Sequence, residues 1–169
     1  MSYRFEDREW LGTRMRVAFL AGTASDIALS IMEPLRPDDS GSEFTMFRMR
    51  AESMLNIVIS ALVWLRDQKG QPISYDAIYR LLDLGVLQSL SVHRFLPAGG
   101  APDCLQGDVP NFPSDIADAI IGYLDELPGA DAFNPSTLEK DSLASRIHEM
   151  SVMRFTCILM LLNCKVEAA

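Results

Sequence analysis

Met54-Leu55-Asn56-Ile57-Val58-Ile59-Ser60-Ala61-Leu62-Val63-Trp64-Leu65 is apolar at every position except Asn56 and Ser60, and that density decides the fold. The run shows no alternation of period two, so it reads as helix rather than strand. A helix that is apolar nearly all round has no face for water and belongs at the middle of a bundle. Working outward, the same helix extends from about Ser42 to Gln68, with Met46, Arg50, Met54, Ile57, Ala61 and Trp64 on one stripe. Ser40 and Glu43 stand at capping-box spacing ahead of it. Lys69-Gly70 ends it, with a cation at the negative pole of the helix dipole and a glycine suited to the C-terminal cap.

The flanking sequence repeats this logic. Tyr3 to Met32 reads as helix, with Phe5, Trp10, Val17, Leu20, Ile27 and Ile31 at helical spacing, a kink or break at Gly22-Thr23, and a stop at Pro34 and Pro37. Ser74 is expected to cap a short helix carrying Ile78, Leu81 and Leu82, interrupted at Gly85, and a fourth helix follows from about Val86 to Phe95. Leu96 to Phe112, rich in proline and glycine, reads as an exposed loop without a strand. Pro113-Ser114-Asp115 opens a fifth helix with Ile116, Ala119, Ile120, Tyr123, Leu124 and Leu127 in line, and Pro128-Gly129 closes it. A second capping box, Ser136 with Glu139, announces a last helix reaching about Lys165, with Leu143, Ile147, Met150, Arg154, Ile158 and Leu161 in line. The expectation is a single all-α domain over residues 1–169: a compact bundle of about five to seven helices with a long central apolar helix and a long C-terminal one. Leu62, Ile57, Trp64 and Phe155 are assigned to its core.

Composition narrows the function. A chain of 169 residues that is 49% hydrophobic and 22% charged can close a core without staples. The net charge of −8 disfavours nonspecific nucleic-acid binding and anionic lipid, and suits a basic partner. Cys104, Cys157 and Cys164 are odd in number and lack zinc-ligand spacing, so reduced thiols and a cytoplasmic setting are expected. No signal peptide is visible at the N-terminus. The apolar runs Met54–Leu65 and Phe155–Leu162 are shorter than the ~20 residues that span a bilayer, so no membrane contact is expected. A P-loop, a His-Glu-x-x-His helix and a serine elbow are all missing from the sequence, and His93 and His148 suggest no shared site. Neither catalysis nor a cofactor is expected.

Charge is unevenly placed. From Asp103 to Glu139 the charged side chains are all acidic: Asp103, Asp108, Asp115, Asp118, Asp125, Glu126, Asp131 and Glu139. This is either a solvated face that favours solubility or an electrostatic surface for a basic partner. On the second reading Asp115, Asp118, Asp125, Glu126 and Asp131 are the candidate partner contacts. The first fifty residues instead mix acids with Arg4, Arg8, Arg14, Arg16, Arg36, Arg48 and Arg50.

Two stretches resemble a known family. Arg50-Ala51-Glu52-Ser53-Met54-Leu55 through Ala61-Leu62-Val63-Trp64-Leu65-Arg66-Asp67, then Ile78 and Leu81-Leu82-Asp83-Leu84, is similar to the all-α domain of type IV coupling proteins. Tyr123-Leu124-Asp125-Glu126-Leu127-Pro128-Gly129, with His148 and Phe155-Thr156, resembles the coupling proteins of Dot/Icm-type secretion and IncI-type conjugation. Ile147 and Glu149 beside His148 depart from the Gln and Gly of that pattern. The resemblance implies an all-α domain inserted in a larger, membrane-anchored hexameric ATPase, facing the cytoplasm at the inner membrane. There it would help recruit relaxase-bound DNA, effector proteins or adaptors to a secretion channel, with hexamer and ATPase residing in the parent protein. Two alternatives stand beside it. One is direct DNA contact through Arg4, Arg8, Arg14, Arg16, Arg48 and Arg50, and the other is an unrelated oligomeric helical adaptor.

Overall fold

The computed structural model describes residues 6–32, 42–98 and 106–166, and within them the side chains of 14–32, 48–98, 106–153 and 156. The protein is an all-α bundle. Its helices are α1 (Glu6–Ala21), α2 (Ala24–Met32), α3 (Ser42–Lys69), α4 (Tyr75–Leu81), α5 (Leu84–His93), α6 (Ser114–Asp125) and α7 (Leu143–Val166). A 3-10 turn, Pro135–Leu138, lies between α6 and α7. Among the described residues no helix is long and apolar enough to cross a membrane. The Ser40–Glu43 capping box, the stop at Pro34 and Pro37, Asp103, Cys104 and Arg4 fall outside the described residues, as do the side chains of Arg8, Arg154, Phe155, Cys157, Ile158, Leu161 and Cys164.

The central helix takes the place its composition demands. Met54, Leu55, Val58, Ile59, Ala61, Leu62 and Leu65 of α3 are all buried, on more than one face. α2, α4, α6 and α7 pack around it. Ile57 and Trp64 are half-buried at its margin rather than in its centre. Trp64 meets Phe112 edge-on at 5.4 Å between ring centres. Gly70 ends α3 in the left-handed region at φ 67°, and its N–H donates to the Arg66 carbonyl at 2.9 Å.

Gly22-Thr23 does split the first segment. A Cβ on Gly22 would stand 2.6 Å from the Ala18 carbonyl oxygen, so only glycine fits this break. Thr23 and Asp26 then cap α2 reciprocally: Asp26 Oδ2 accepts from the Thr23 N–H at 3.0 Å, and Thr23 Oγ1 from the Asp26 N–H at 3.2 Å. Arg66 of α3 locks the junction by donating to the carbonyls of Gly22 at 2.9 Å and Phe19 at 3.3 Å. These are carbonyls a helix end leaves unpaired.

Several predicted details are corrected. The buried stripe of α1 is Met15, Ala18 and Phe19, whereas Val17 and Leu20 face solvent. Gly85 does not interrupt a helix: Asp83 caps α5 by accepting from the Val86 N–H at 3.1 Å, and Gly85 lies inside the first turn. Arg94, in the left-handed region at φ 54°, ends α5. The segment after it is not a free rim. Phe95–Leu96 pairs antiparallel with Gly107–Asp108, Val109 N–H donates to the Arg94 carbonyl at 2.7 Å, and Leu96, Val109 and Phe112 are buried. On α6 the buried residues are Ala117, Ile120, Tyr123 and Leu124, with Ala119 exposed. Ser136 starts no helix. Asn134 caps the 3-10 turn, and Ser142 caps α7 by accepting from the Ser145 N–H at 3.0 Å. α7 buries Ala144, Ser145, His148, Ser151 and Val152, and leaves Leu143, Met150 and Met153 exposed.

Candidate functional site

The most organised polar group inside the bundle centres on His148. Its ring is buried between α6 and the end of α4. Nε2 lies 2.7 Å from the Leu82 carbonyl and Nδ1 lies 2.8 Å from the Tyr123 hydroxyl. A carbonyl can only accept, so Nε2 carries the proton, Nδ1 presents its lone pair, and Tyr123 donates to it. Burial pushes His148 below the ordinary imidazole range, against the Leu82 bond and the carboxylates of Asp83 and Glu149, which favour the charged ring. Burial likewise pushes the Tyr123 hydroxyl above its usual range, opposed by Arg50 and reinforced by Glu126. Neither described groove is lined by these residues. The pair therefore ties three helices together. It also joins three segments that the sequence sets apart: Leu81–Leu84, the Tyr123 segment and His148.

The five predicted partner contacts are all exposed, and they divide by role. Asp115 and Asp118 lie on the outer surface of α6, three residues apart and so neighbours on one face. Glu126 caps the end of that helix. Asp125 and Asp131 also hold backbone. Asp125 Oδ1 accepts from the Ala132 N–H at 2.8 Å and Asp131 Oδ1 from the Phe133 N–H at 2.9 Å. From Gln106 to Glu139 the sequence holds no basic residue. A side chain that sequence reasoning missed, Phe133, stands in that stretch, two-thirds exposed.

Among the described side chains, Arg14, Arg16, Arg48 and Arg50 do not form one patch. Arg14 and Arg48 line a groove of about 490 Å³ between α1, α2 and α3. There Arg48 Nε pairs with Glu52 Oε1 at 2.9 Å. Arg16 instead acts on Tyr75, whose hydroxyl burial has pushed up to about 12, and Arg50 acts on Tyr123. A second groove of about 520 Å³ runs between α1 and α2, floored by Val17, Ala18, Ala21 and Leu29. Among the described residues no group of three His, Cys, Asp or Glu side chains could hold a metal ion.

No protein-family model, curated protein or solved structure matches this chain.

Proposed function

We propose that this chain is a substrate- or adaptor-recognition domain of a type IV coupling protein. It takes hold of relaxase, effector or adaptor proteins on the cytoplasmic side and performs no chemistry itself. The observation that carries the recognition role is the set of exposed carboxylates along α6 and the loop after it, Asp115, Asp118, Asp125, Glu126 and Asp131, with no basic residue between them in the sequence. Fields of one sign steer oppositely charged proteins and set the register of their docking. The coupling-protein assignment comes from the resemblance in sequence. The Tyr123–His148–Leu82 tie supports it by giving those separated positions one shared structural task.

Charge reversal tests the surface. Asp115→Lys with Asp118→Lys changes two side chains for which the described hydrogen bonds give no structural duty. In the native host this variant should lower DNA transfer or effector export by about tenfold while the fold is kept. In vitro, affinity for a lysine-rich peptide should fall and its salt dependence should flatten. Unchanged affinity at both low and moderate salt removes this surface from the account.

A second reading, DNA contact, rests on the groove that Arg14 and Arg48 share. A gel shift with single- and double-stranded DNA distinguishes it. A complex lost at ~150 mM salt reports phosphate attraction alone.

A further inference from the structure

Leu20 is the most exposed large apolar side chain among the described residues, and Val17, three residues before it on α1, is exposed as well. Val17 also lines the groove of about 520 Å³ between α1 and α2, together with Ala18, Ala21, Gly22 and the exposed Leu29. A ridge and a hollow therefore lie side by side on one face. The hollow is held open by the fold itself. Arg66 fixes the carbonyls of Phe19 and Gly22, and the reciprocal Thr23–Asp26 cap fixes the entry of α2. Little of this face remains to be ordered when something covers it.

Charge says what fits there. The charged residues lining the groove are Arg14 and Asp26. The adjoining groove shares Arg14 and Leu29 and adds Arg48 and Glu52. Two cations thus balance two anions, in a chain of net charge −8. Such a face draws neither a lysine-rich protein nor a polyanion, but it is where two copies of an otherwise acidic chain can approach without repulsion. The signs are also placed for that approach. Arg14 lies about 10 Å along the α1 axis from Ala21, and Asp26 stands in the first turn of α2 just beyond it. An antiparallel crossing of α1 with its own copy at Val17 and Leu20 brings each Arg14 to the end where the other copy holds Asp26.

We propose that this face is a homotypic contact: two copies of the chain pack antiparallel through α1, the Val17–Leu20 ridge of each seated in the α1–α2 groove of the other, and Arg14 of each facing the partner's Asp26. A two-fold contact requires one patch to carry both halves of the fit, and this patch carries ridge and hollow, cation and anion. It lies on elements other than α6 and the loop after it, so it stands apart from the acidic-face reading. The contact covers about two turns of α1 and less of α2, small beside the ~800 Å² per partner of a standard interface, so the dimer is weak, with Kd on the order of 10–100 μM.

Sedimentation equilibrium of the intact chain from roughly 5 to 500 μM should show a monomer–dimer equilibrium. Leu20→Lys, at a position open to water, should keep Tm and weaken the dimer by about tenfold or more. A charge swap at low salt reads the two-fold directly. Arg14→Glu sets like charges together at both ends of the contact, and so does Asp26→Arg, so each variant alone should dimerise more weakly than wild type. Mixed in equal amounts they restore opposite signs at both ends, and the dimer should return. Asp26 also caps α2, so circular dichroism checks that its variant is folded, and Leu20→Lys decides the matter if it is not. A chain that stays monomeric throughout leaves the groove to a different protein and overturns the proposal. A dimer untouched by Leu20→Lys, or two folded charge variants that fail to pair on mixing, overturns it as well.

Discussion

His148 has the most consequential surroundings of any single residue. Its two ring nitrogens are both spent, one on a carbonyl and one on a phenol, in the buried interior of the bundle. Tyr123→Phe removes the hydroxyl and leaves Nδ1 buried and unpaired. This should cost about 1–3 kcal/mol in urea denaturation. The pH dependence follows from the depressed basicity of the ring. Below the ordinary value of 6.5 the unfolded chain takes up a proton that the folded protein refuses. The stabilising contribution is therefore complete above pH 6.5 and is lost as pH falls below it. Melting curves between about pH 7.5 and 5.5 should show Tm dropping on acidification, with a shallower slope in His148→Gln. An equal slope in the variant would assign the acid sensitivity to other groups. His148 drew no structural expectation from its sequence position, because a histidine in a helical pattern counts as polar until its partners are known. Those partners lie 25 and 66 residues away along the chain.

Individual helices were legible to different degrees, for a physical reason. α3 was plain because its second half is apolar on all sides, so no choice of face was needed. α1 and α7 were recognised as helices, but Val17, Leu20, Leu143 and Met150 of their predicted stripes face solvent, while Ile147 packs against the core. Each carries large apolar side chains outside, Val17 and Leu20 on one, Leu143, Met150 and Met153 on the other. Periodicity alone cannot rank two apolar stripes. Among the described side chains of α7 the buried stripe is instead mostly small or hydrogen-bonded: Ala144, Ser145, His148 and Ser151, joined by Val152. The Ser151 hydroxyl is satisfied by the Ile147 carbonyl at 2.8 Å, so a polar residue faces inward there without leaving a buried group unpaired. The start of α7 was misplaced because Ser136 matched a capping pattern, while Asn134 and Ser142 took the capping roles. α6 offers a direct test at this scale. Gly122 sits in the last turn of an exposed helical face with nothing within 4 Å of where a Cβ would stand. Gly122→Ala should stabilise the protein by about 0.5–1 kcal/mol, read as a higher urea midpoint with an unchanged m value.

Across the described residues, apolar side chains close around α3 while the acidic side chains from Asp108 to Glu139 lie outward, so core and charge are carried by different side chains even where one segment supplies both. That separation makes loss-of-binding variants interpretable. Ile59→Ala, at a fully buried position, should cost about 2–5 kcal/mol and abolish binding by unfolding, visible in circular dichroism. Phe133→Ala and Asp115→Lys/Asp118→Lys should leave the spectrum intact. The acidic run itself could be read from composition. The outward Phe133 could not, because a lone aromatic in a short loop has no period to show its direction, which the bonds from Gln88 and Asp125 to Ala132 fix.

The small β-ladder has a practical corollary. Phe95–Leu96 and Gly107–Asp108 bring the two stems of the intervening segment side by side, and the Arg94–Val109 bond fastens them at the base. Extra residues spliced between those stems would begin and finish at neighbouring points, and each doubling of the spliced length adds only about 0.6 kcal/mol of closure entropy. A reporter epitope or small folded module grafted between Pro97 and Gln106 should therefore be carried with a near-native Tm. That site would give a handle for imaging or purification that leaves α6 and the turn after it untouched.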